Sequence, residues 1–246
     1  MLKSLFLAAA ALVGTAPFAH ADDAAEKVVR DALHTLAPNA KPDIVRKSEL
    51  PGFYEVIVSG QVLYVSADGK YLVQGEVIDV ASKTSVSGRA LASVRSEGLK
   101  NLPVDKRIVF SPPNPKHTIA VFTDVDCPYC RKFHQNIAAY NQQGIAVQYI
   151  FFPLSIHKDA DKKAVSVWCS QDRNAAYTAA MNGQDPGNKT CANPVSETLA
   201  LALKIGINAT PTILAADGTQ IGNVATDPKA LAAELDRIEK TPVAAK

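Results

Sequence analysis

The sequence predicts an α/β protein of two parts, a small α+β module followed by a larger domain around a parallel strand-helix-strand unit. Residues 24–80 have the pattern of one helix and then several short strands. Residues 117–152 alternate strand, helix and strand, an order that favours a crossover and parallel pairing. All four cysteines lie in the second half of the chain. The two parts are therefore expected to have different roles.

Residues 1–21 are predicted to be a secretory signal peptide. Lys3 precedes an apolar run that extends to Val13, and Ala19-His20-Ala21 places small residues at the third-last and last positions before a cut. We expect cleavage after Ala21, and the run is too short to serve as a membrane span. No later run is long enough either, so a soluble exported protein is predicted. The formal net charge of +2 gives no strong field to attract nucleic acid.

Residues 22–81 are predicted to form a small N-terminal domain. Apolar residues over 24–37 recur at helical spacing, and strands are expected over 54–58, 62–65 and 71–80. A unit of roughly sixty residues without a cysteine buries too little surface to be comfortably stable alone. Pairing with a second copy through a sheet edge or face is therefore predicted. The alternative is docking onto the chain's own C-terminal domain.

Residues 82–110 are predicted to be a linker with one exposed helix, and residues 111–246 a second domain that opens on a proline-rich run. The predicted elements of this domain are strand 117–123, helix 127–143, strand 145–152, helical segments 158–182 and 195–205, a hairpin of 212–215 with 220–224, and a last helix that runs through 238. Its first strand thus leads directly into its first helix.

The motif Cys127-Pro128-Tyr129-Cys130 lies where that strand passes into the helix. Amide N–H groups and the helix dipole stabilise negative charge at a helix start, so the pKa of Cys127 is expected to be low. Two intervening residues bring the sulfur of Cys130 across the first turn, where it can resolve a mixed disulfide on Cys127. A half zinc site or an inert bridge is less favoured, because Cys169 and Cys191 form no second C-x-x-C pair.

Three neighbours of the motif have less specific roles. Asp124 and Asp126 precede the nucleophile and could accept a proton or raise its pKa, although Asp126 is more simply interpreted as a solvated side chain near the helix start. His134 lies one turn after Cys130, and a packed or half-exposed histidine is favoured over a catalytic one.

The run 122–130, the later Trp168-Cys169, and Ala209-Thr210-Pro211 together resemble the periplasmic disulfide isomerases of the DsbC family, within the thioredoxin superfamily. The resemblance extends over nearly the whole mature chain. It implies a thioredoxin fold with an inserted helical subdomain, a cystatin-like N-terminal dimerisation domain and a V-shaped homodimer. It also implies that Pro211 is a cis-proline against the active-site cysteines, and that the substrate is contacted by Pro128, Tyr129, Thr210 and Pro211.

The two residues between the cysteines depart from the commonest isomerase pattern. The DsbC family often has Gly-Tyr there, whereas Pro128-Tyr129 also occurs in DsbG-like relatives and in glutaredoxins. Cys169 and Cys191 point the other way, because the resemblance implies that they form the isomerases' second, structural disulfide. A second redox pair is the alternative for these two cysteines.

We therefore predict a protein disulfide isomerase and reductase that acts on misfolded exported proteins with non-native disulfides and has chaperone-like activity. The resemblance implies an inner-membrane reductase of the DsbD type as electron donor. No metal, organic cofactor or nucleic acid is expected. The alternatives are a DsbG-like reductase of sulfenylated cysteines with chaperone activity, a monomeric DsbA-like oxidase, and a pure chaperone with structural cysteines.

Overall fold

A computed structural model of the chain describes residues 20–240, so the predicted signal peptide lies outside the described residues except for its last two positions. The N-terminal part is one helix on an antiparallel sheet of order β1-β2-β3-β4. Its elements are α1 (His20–Leu36), β1 (Ile44–Lys47), β2 (Phe53–Val58), β3 (Gln61–Ser66) and β4 (Leu72–Gln74). Val29 and Leu33 of α1 are buried against Val56 and Val65 of the sheet. This burial of one apolar helix stripe on one sheet face forms the core of the module.

The predicted strand over 71–80 is wrong in extent. β4 ends at Gln74, and a separate two-stranded ribbon follows, made of β5 (Ile78–Asp79) and β6 (Thr84–Ser85). Gly75 follows the last residue of β4 and has a φ of 153°, which a residue with a side chain rarely adopts. The strand therefore ends at this glycine. The strand β1 was not predicted and pairs antiparallel with β2.

The predicted linker helix is α2 (Val86–Lys100), but the prediction that it is exposed is wrong, because Ala90, Ala92 and Leu99 are buried. The Ser85 hydroxyl caps its start by accepting a hydrogen bond from the Gly88 backbone N–H at 2.8 Å. The helix packs closely against the turn at Gly218 in the second domain. The contact is so close that a Cβ atom at Gly218 would clash with the backbone carbonyl oxygen of Ala92. After α2 comes β7 (Ile108–Phe110), which pairs with the main sheet and so places a strand just before residue 111.

The C-terminal part is a five-stranded sheet of order β11-β10-β8-β9-β7 with helices on both faces. Its other strands are β8 (His117–Thr123), β9 (Ile145–Phe151), β10 (Thr212–Leu214) and β11 (Gln220–Ile221). β8 and β9 are parallel, as predicted, and the remaining pairs are antiparallel. Alternate residues of β8 enter two separate cores, Ile119 and Val121 on one face, Ala120 and Phe122 on the other.

The predicted helix over 127–143 is two helices, α3 (Pro128–His134) and α4 (Ile137–Gln142), separated at Gln135 and Asn136. The helical insertion between β9 and β10 contains α5 (Ala160–Trp168), α6 (Arg173–Met181) and α7 (Val195–Lys204), and the last helix of the described residues is α8 (Pro228–Lys240). Asp172 caps α6 by accepting from the Ala175 N–H at 2.9 Å, which divides the predicted segment 158–182 in two. Over residues 20–240, no helix combines the length and hydrophobicity that a membrane crossing requires.

Candidate active site

Cys127 is the N-cap residue of α3, immediately after the turn that follows β8. Its backbone is extended, with φ of −72° and ψ of 118°, as is common for an N-cap residue. Pro128 occupies the first helical position, where its missing N–H costs no intrahelical hydrogen bond. The sulfur of Cys127 thus stands at the end of the helix where unpaired N–H groups are available.

The thiolate of Cys127 is favoured by its neighbours. A hydrogen bond from the Cys130 thiol is the largest cause, and the backbone N–H groups of Cys130 and Tyr129 add to it, so the pKa of Cys127 falls to about 5 although burial opposes the shift. The side chain of Thr210 also favours the thiolate, but its Oγ1 makes no well-aligned hydrogen bond within residues 20–240. At neutral pH Cys127 is therefore ionised, the state in which a cysteine can act as a nucleophile.

Cys130 lies one turn further along α3 and is only 1 % exposed. Burial raises the pKa of its thiol well above the ordinary value, and the neighbouring Cys127 sulfur raises it further. Cys130 therefore stays a protonated donor while Cys127 is ionised. The two cysteines are free thiols with opposite acidities.

The segment before β10 closes one side of the site. The Thr210–Pro211 peptide bond is cis, and the Cys127 sulfur lies 3.3 Å from the Thr210 backbone oxygen, to which it donates a hydrogen bond only when it is protonated. Tyr129, which lies between the two cysteines in the sequence, is 72 % exposed, so an aromatic ring and a backbone edge are both available near Cys127. This arrangement can receive an extended peptide.

The turn between β8 and α3 is fixed by two carboxylates. Asp124 is 1 % exposed, and its carboxylate accepts hydrogen bonds from the backbone N–H groups of Asp126 and Leu154, each at 2.7 Å. The ring of His157 lies 2.9 Å from the same carboxylate. Asp124 therefore joins the active-site turn to the segment after β9 instead of facing solvent.

The interpretation of Asp126 as a solvated side chain is wrong. Its carboxylate is 21 % exposed and lies 2.7 Å from the Lys163 Nζ and 3.2 Å from an Arg131 guanidinium nitrogen. Sequence reasoning missed Lys163 because this contact joins residues 37 positions apart. No local pattern signals such a pair.

His134 is packed, as predicted, and buried. Its ring nitrogens lie 3.0 Å from the Tyr149 and Thr178 hydroxyls, and burial lowers its pKa to about 4. The imidazole is therefore neutral at physiological pH. It connects α3 to β9 and α6.

Cys169 and Cys191 form a disulfide across 22 residues of the helical insertion. Cys169 is the C-cap residue that follows α5, and Cys191 lies in the exposed segment before α7. The Arg173 guanidinium stacks 3.8 Å from the centroid of the neighbouring Trp168 ring.

One group of side chains in residues 20–240 has the composition of a metal site, His117 with Asp236 and Glu239. It lies at the start of β8, the opposite end of the strand from the cysteines. Asp236 is already paired with Lys116 at 2.6 Å. This group therefore has no part in the cysteine chemistry.

Two family models match the chain. "Disulfide bond isomerase protein N-terminal domain" covers residues 17–88, and "Thioredoxin-like domain" covers residues 104–239. The "Thiol:disulfide interchange protein DsbC" of Dickeya dadantii is 35 % identical over 96 % of this chain and 96 % of its own length.

The protein of the same name from Escherichia coli K12 is 32 % identical over 97 % of this chain and 98 % of its own length. Among solved structures, a "disulfide interchange protein from Neisseria gonorrhoeae" is 36 % identical, with a TM-score of 0.42 over 46 % of this chain and 81 % of that one.

Proposed function

This chain belongs to the DsbC family of thiol:disulfide interchange proteins, and from that premise we propose that its Cys127–Cys130 pair rearranges incorrect disulfides in exported proteins. The observation that carries the proposal is the opposite acidity of two adjacent sulfurs, an ionised one at the helix start and a protonated one behind it. The family membership does not favour the alternative, a DsbG-like reductase of sulfenylated cysteines.

The reaction begins when the Cys127 thiolate attacks one sulfur of a substrate disulfide. A bond forms between Cys127 and that sulfur, the substrate disulfide breaks, and the second substrate sulfur leaves as a thiolate. In isomerisation, another substrate thiolate attacks the substrate sulfur of this mixed disulfide and expels Cys127 unchanged. The substrate then has a new pairing and no net electrons have moved.

In reduction, Cys130 attacks the sulfur of Cys127 instead. Its proton passes to the departing substrate sulfur, the Cys127–Cys130 disulfide forms, and the substrate gains two electrons. The high pKa of Cys130 delays this step, which leaves time for isomerisation. A reductant must then restore the dithiol, and we assign this role to an inner-membrane reductase of the DsbD type.

We assign substrate contact to Pro128, Tyr129, Thr210 and Pro211. Tyr129 offers an exposed ring, and the Thr210 Oγ1 is buried without a well-aligned partner among the described residues. An extended chain laid beside the cis peptide bond would place its own backbone groups against those of Thr210. Since these contacts are largely backbone and aromatic, they suit unfolded substrates of many sequences.

The proposed compartment is the periplasm, reached through the predicted signal peptide with cleavage after Ala21. The division into domains 22–81 and 111–246, joined by the linker 82–110, is part of the same proposal, except that β7 (Ile108–Phe110) pairs with β9 and so belongs with the second domain. A periplasmic isomerase needs an oxidising environment in which wrong disulfides form.

We propose further that the N-terminal module forms a homodimer through β4. This strand is the last in its sheet and pairs only with β3 in the described chain, so its other edge has no strand partner there. All three of its residues are exposed, including the apolar Leu72 at 38 % and Val73 at 42 %. An exposed apolar edge strand is a template for pairing with a second copy.

Sedimentation tests the dimer. Val73→Arg is expected to convert the dimer to a monomer, whereas Val104→Arg, at an exposed valine of the linker, should leave the dimer intact. A wild-type protein that sediments as a monomer would refute this part of the proposal.

Refolding of a scrambled multi-disulfide ribonuclease tests the isomerase itself. Wild type should restore native pairing without added oxidant, and Cys127→Ser should lose that ability. Cys130→Ser should retain part of the isomerisation but form no intramolecular disulfide. Full refolding by Cys127→Ser would show a chaperone without thiol chemistry.

A further inference from the structure

The residue before the nucleophile carries a charge that is held by two cations. The Asp126 carboxylate accepts from Lys163 Nζ at 2.7 Å through one oxygen and from Arg131 at 3.2 Å through the other. All three side chains are between 21 % and 35 % exposed, so the cluster is partly shielded from solvent. It borders an open cavity of about 210 Å³.

The two cations come from different parts of the fold. Arg131 is on α3, one turn after Cys127, and its Nε also donates to the Val125 backbone oxygen at 2.9 Å. Lys163 is on α5, in the helical insertion. The insertion therefore reaches the residue directly before Cys127 through one ion pair.

Because Asp126 directly precedes Cys127, its charge affects the ionisation of the Cys127 thiol. A carboxylate next to a cysteine disfavours the thiolate, because two like charges raise each other's energy. Two cations on that carboxylate give the cluster a net charge of +1 and reverse the sign of its effect. A partly exposed ion pair contributes little to stability, but the charge that it places near a reactive sulfur still acts on it.

The other charged groups around the nucleophile do not replace Lys163. The ring of His157 contacts the Asp124 carboxylate and not that of Asp126. Asp185 also lines the cavity, and its carboxylate accepts a hydrogen bond from the Gly187 backbone N–H at 2.9 Å. The segment 209–211 has no charged side chain. Lys163 and Arg131 are therefore the cations placed on Asp126.

We propose that Lys163 is a positioning residue that acts through Asp126, offsetting the negative charge directly before Cys127, so that the helical insertion tunes the reactivity of the nucleophile. This inference rests on the proposed role of Cys127. Arg131 supports the same cluster, but it also holds the Val125 backbone, so Lys163 gives the cleaner test.

The experiment measures alkylation of Cys127 by iodoacetamide, an uncharged reagent, from pH 3.5 to 8. At pH 5, Lys163→Met should slow alkylation about 1.5- to 2-fold and Asp126→Asn should speed it by a similar factor, since one removes a positive and the other a negative charge. The double variant should lie close to wild type. Thiolate absorbance should move along the pH axis in the same directions.

Lys162→Met is the matched control. Lys162 neighbours Lys163 on α5 and loses the same charge, but it is paired with Asp159 at 2.7 Å and is 71 % exposed. The pH dependence of Cys127 alkylation in Lys162→Met should be the same as in wild type. An equal effect of Lys162→Met and Lys163→Met would overturn the proposal, as would slowing by both Lys163→Met and Asp126→Asn, because loosening of the turn predicts one direction for every variant.

These outcomes separate the inference from the proposed function. If wild-type Cys127 titrates with ordinary acidity, the proposed function itself fails. If wild-type Cys127 is acidic and its profile is unchanged in all the variants, only the role of Lys163 is refuted.

Discussion

The two cysteine pairs of the C-terminal domain differ in bonding state and surroundings, and solvent exposure alone would not indicate which pair is the reactive one. The pair assigned to catalysis is buried, with Cys127 at 4 % and Cys130 at 1 %, whereas the disulfide-bonded Cys191 is exposed. Cys127 stands at a helix start among hydrogen-bond donors, while Cys169 ends a helix. We therefore expect reactivity in this domain to follow from the charges and donors around a sulfur rather than from its access to solvent.

The sharpest test of this comparison is selective alkylation. At pH 7 Cys127 is ionised and Cys130 is not, so we expect Cys127 to react with iodoacetamide more than about a thousand-fold faster. Mass spectrometry of proteolysed protein gives both rates, and without strong reductant Cys169 and Cys191 should remain unmodified. Comparable rates at the two free cysteines would remove the basis for assigning them different roles.

The second test removes the Cys169–Cys191 disulfide. Cys169→Ala with Cys191→Ala should lower the free energy of unfolding by about 3 kcal/mol, since the disulfide closes a long loop. Urea unfolding measures the loss. Alkylation of Cys127 should keep its rate, because the substituted residues lie outside the motif. A folded double variant that had lost thiol exchange would favour the alternative of a second redox pair.

The third test uses pH. The pKa of Cys127 is about 5 in the folded protein against an ordinary 9.0, so its ionisation stabilises the reduced fold fully above pH 9. This stabilisation declines as pH falls towards 5 and is absent below it. From pH 5 to pH 7, reduced wild type should therefore gain about 2 kcal/mol relative to Cys127→Ser.

Urea unfolding of the two proteins under the same reductant measures this difference, and any contribution of the second cysteine pair cancels. A constant difference between the two proteins across this range would mean that Cys127 titrates alike in the folded and unfolded states.

Much of the fold was predictable where the local pattern was strong. The strand over 117–123 matches β8, and the strand over 145–152 matches β9 within one residue. β7 was missed because its three residues are defined by pairing with β9, about forty positions away. The break between α3 and α4 was missed because neither Gly nor Pro marks it.

The active site likewise contains features that the local sequence predicted and features that it did not. The order strand, C-x-x-C, helix placed Cys127 at a helix start from sequence alone. The surroundings of Asp124 and Asp126 were not predictable, because their partners His157 and Lys163 lie more than thirty positions away. Local sequence thus predicts where the sulfur lies, and long-range contacts determine the charges around it.

The smallest expected effect concerns the surroundings of the disulfide. Arg173→Met removes the cation stacked on Trp168 and a hydrogen bond from Arg173 Nε to the Trp168 backbone oxygen at 2.9 Å. Because the arginine is exposed, we expect a loss of only about 0.5 to 1 kcal/mol in unfolding free energy. Arg237→Met, at an exposed arginine paired with Glu234, is the matched control and should cost less. If Arg173→Met instead altered the alkylation profile of Cys127, the two cysteine regions would be coupled, and the separation of a reactive pair from a stabilising pair would no longer hold.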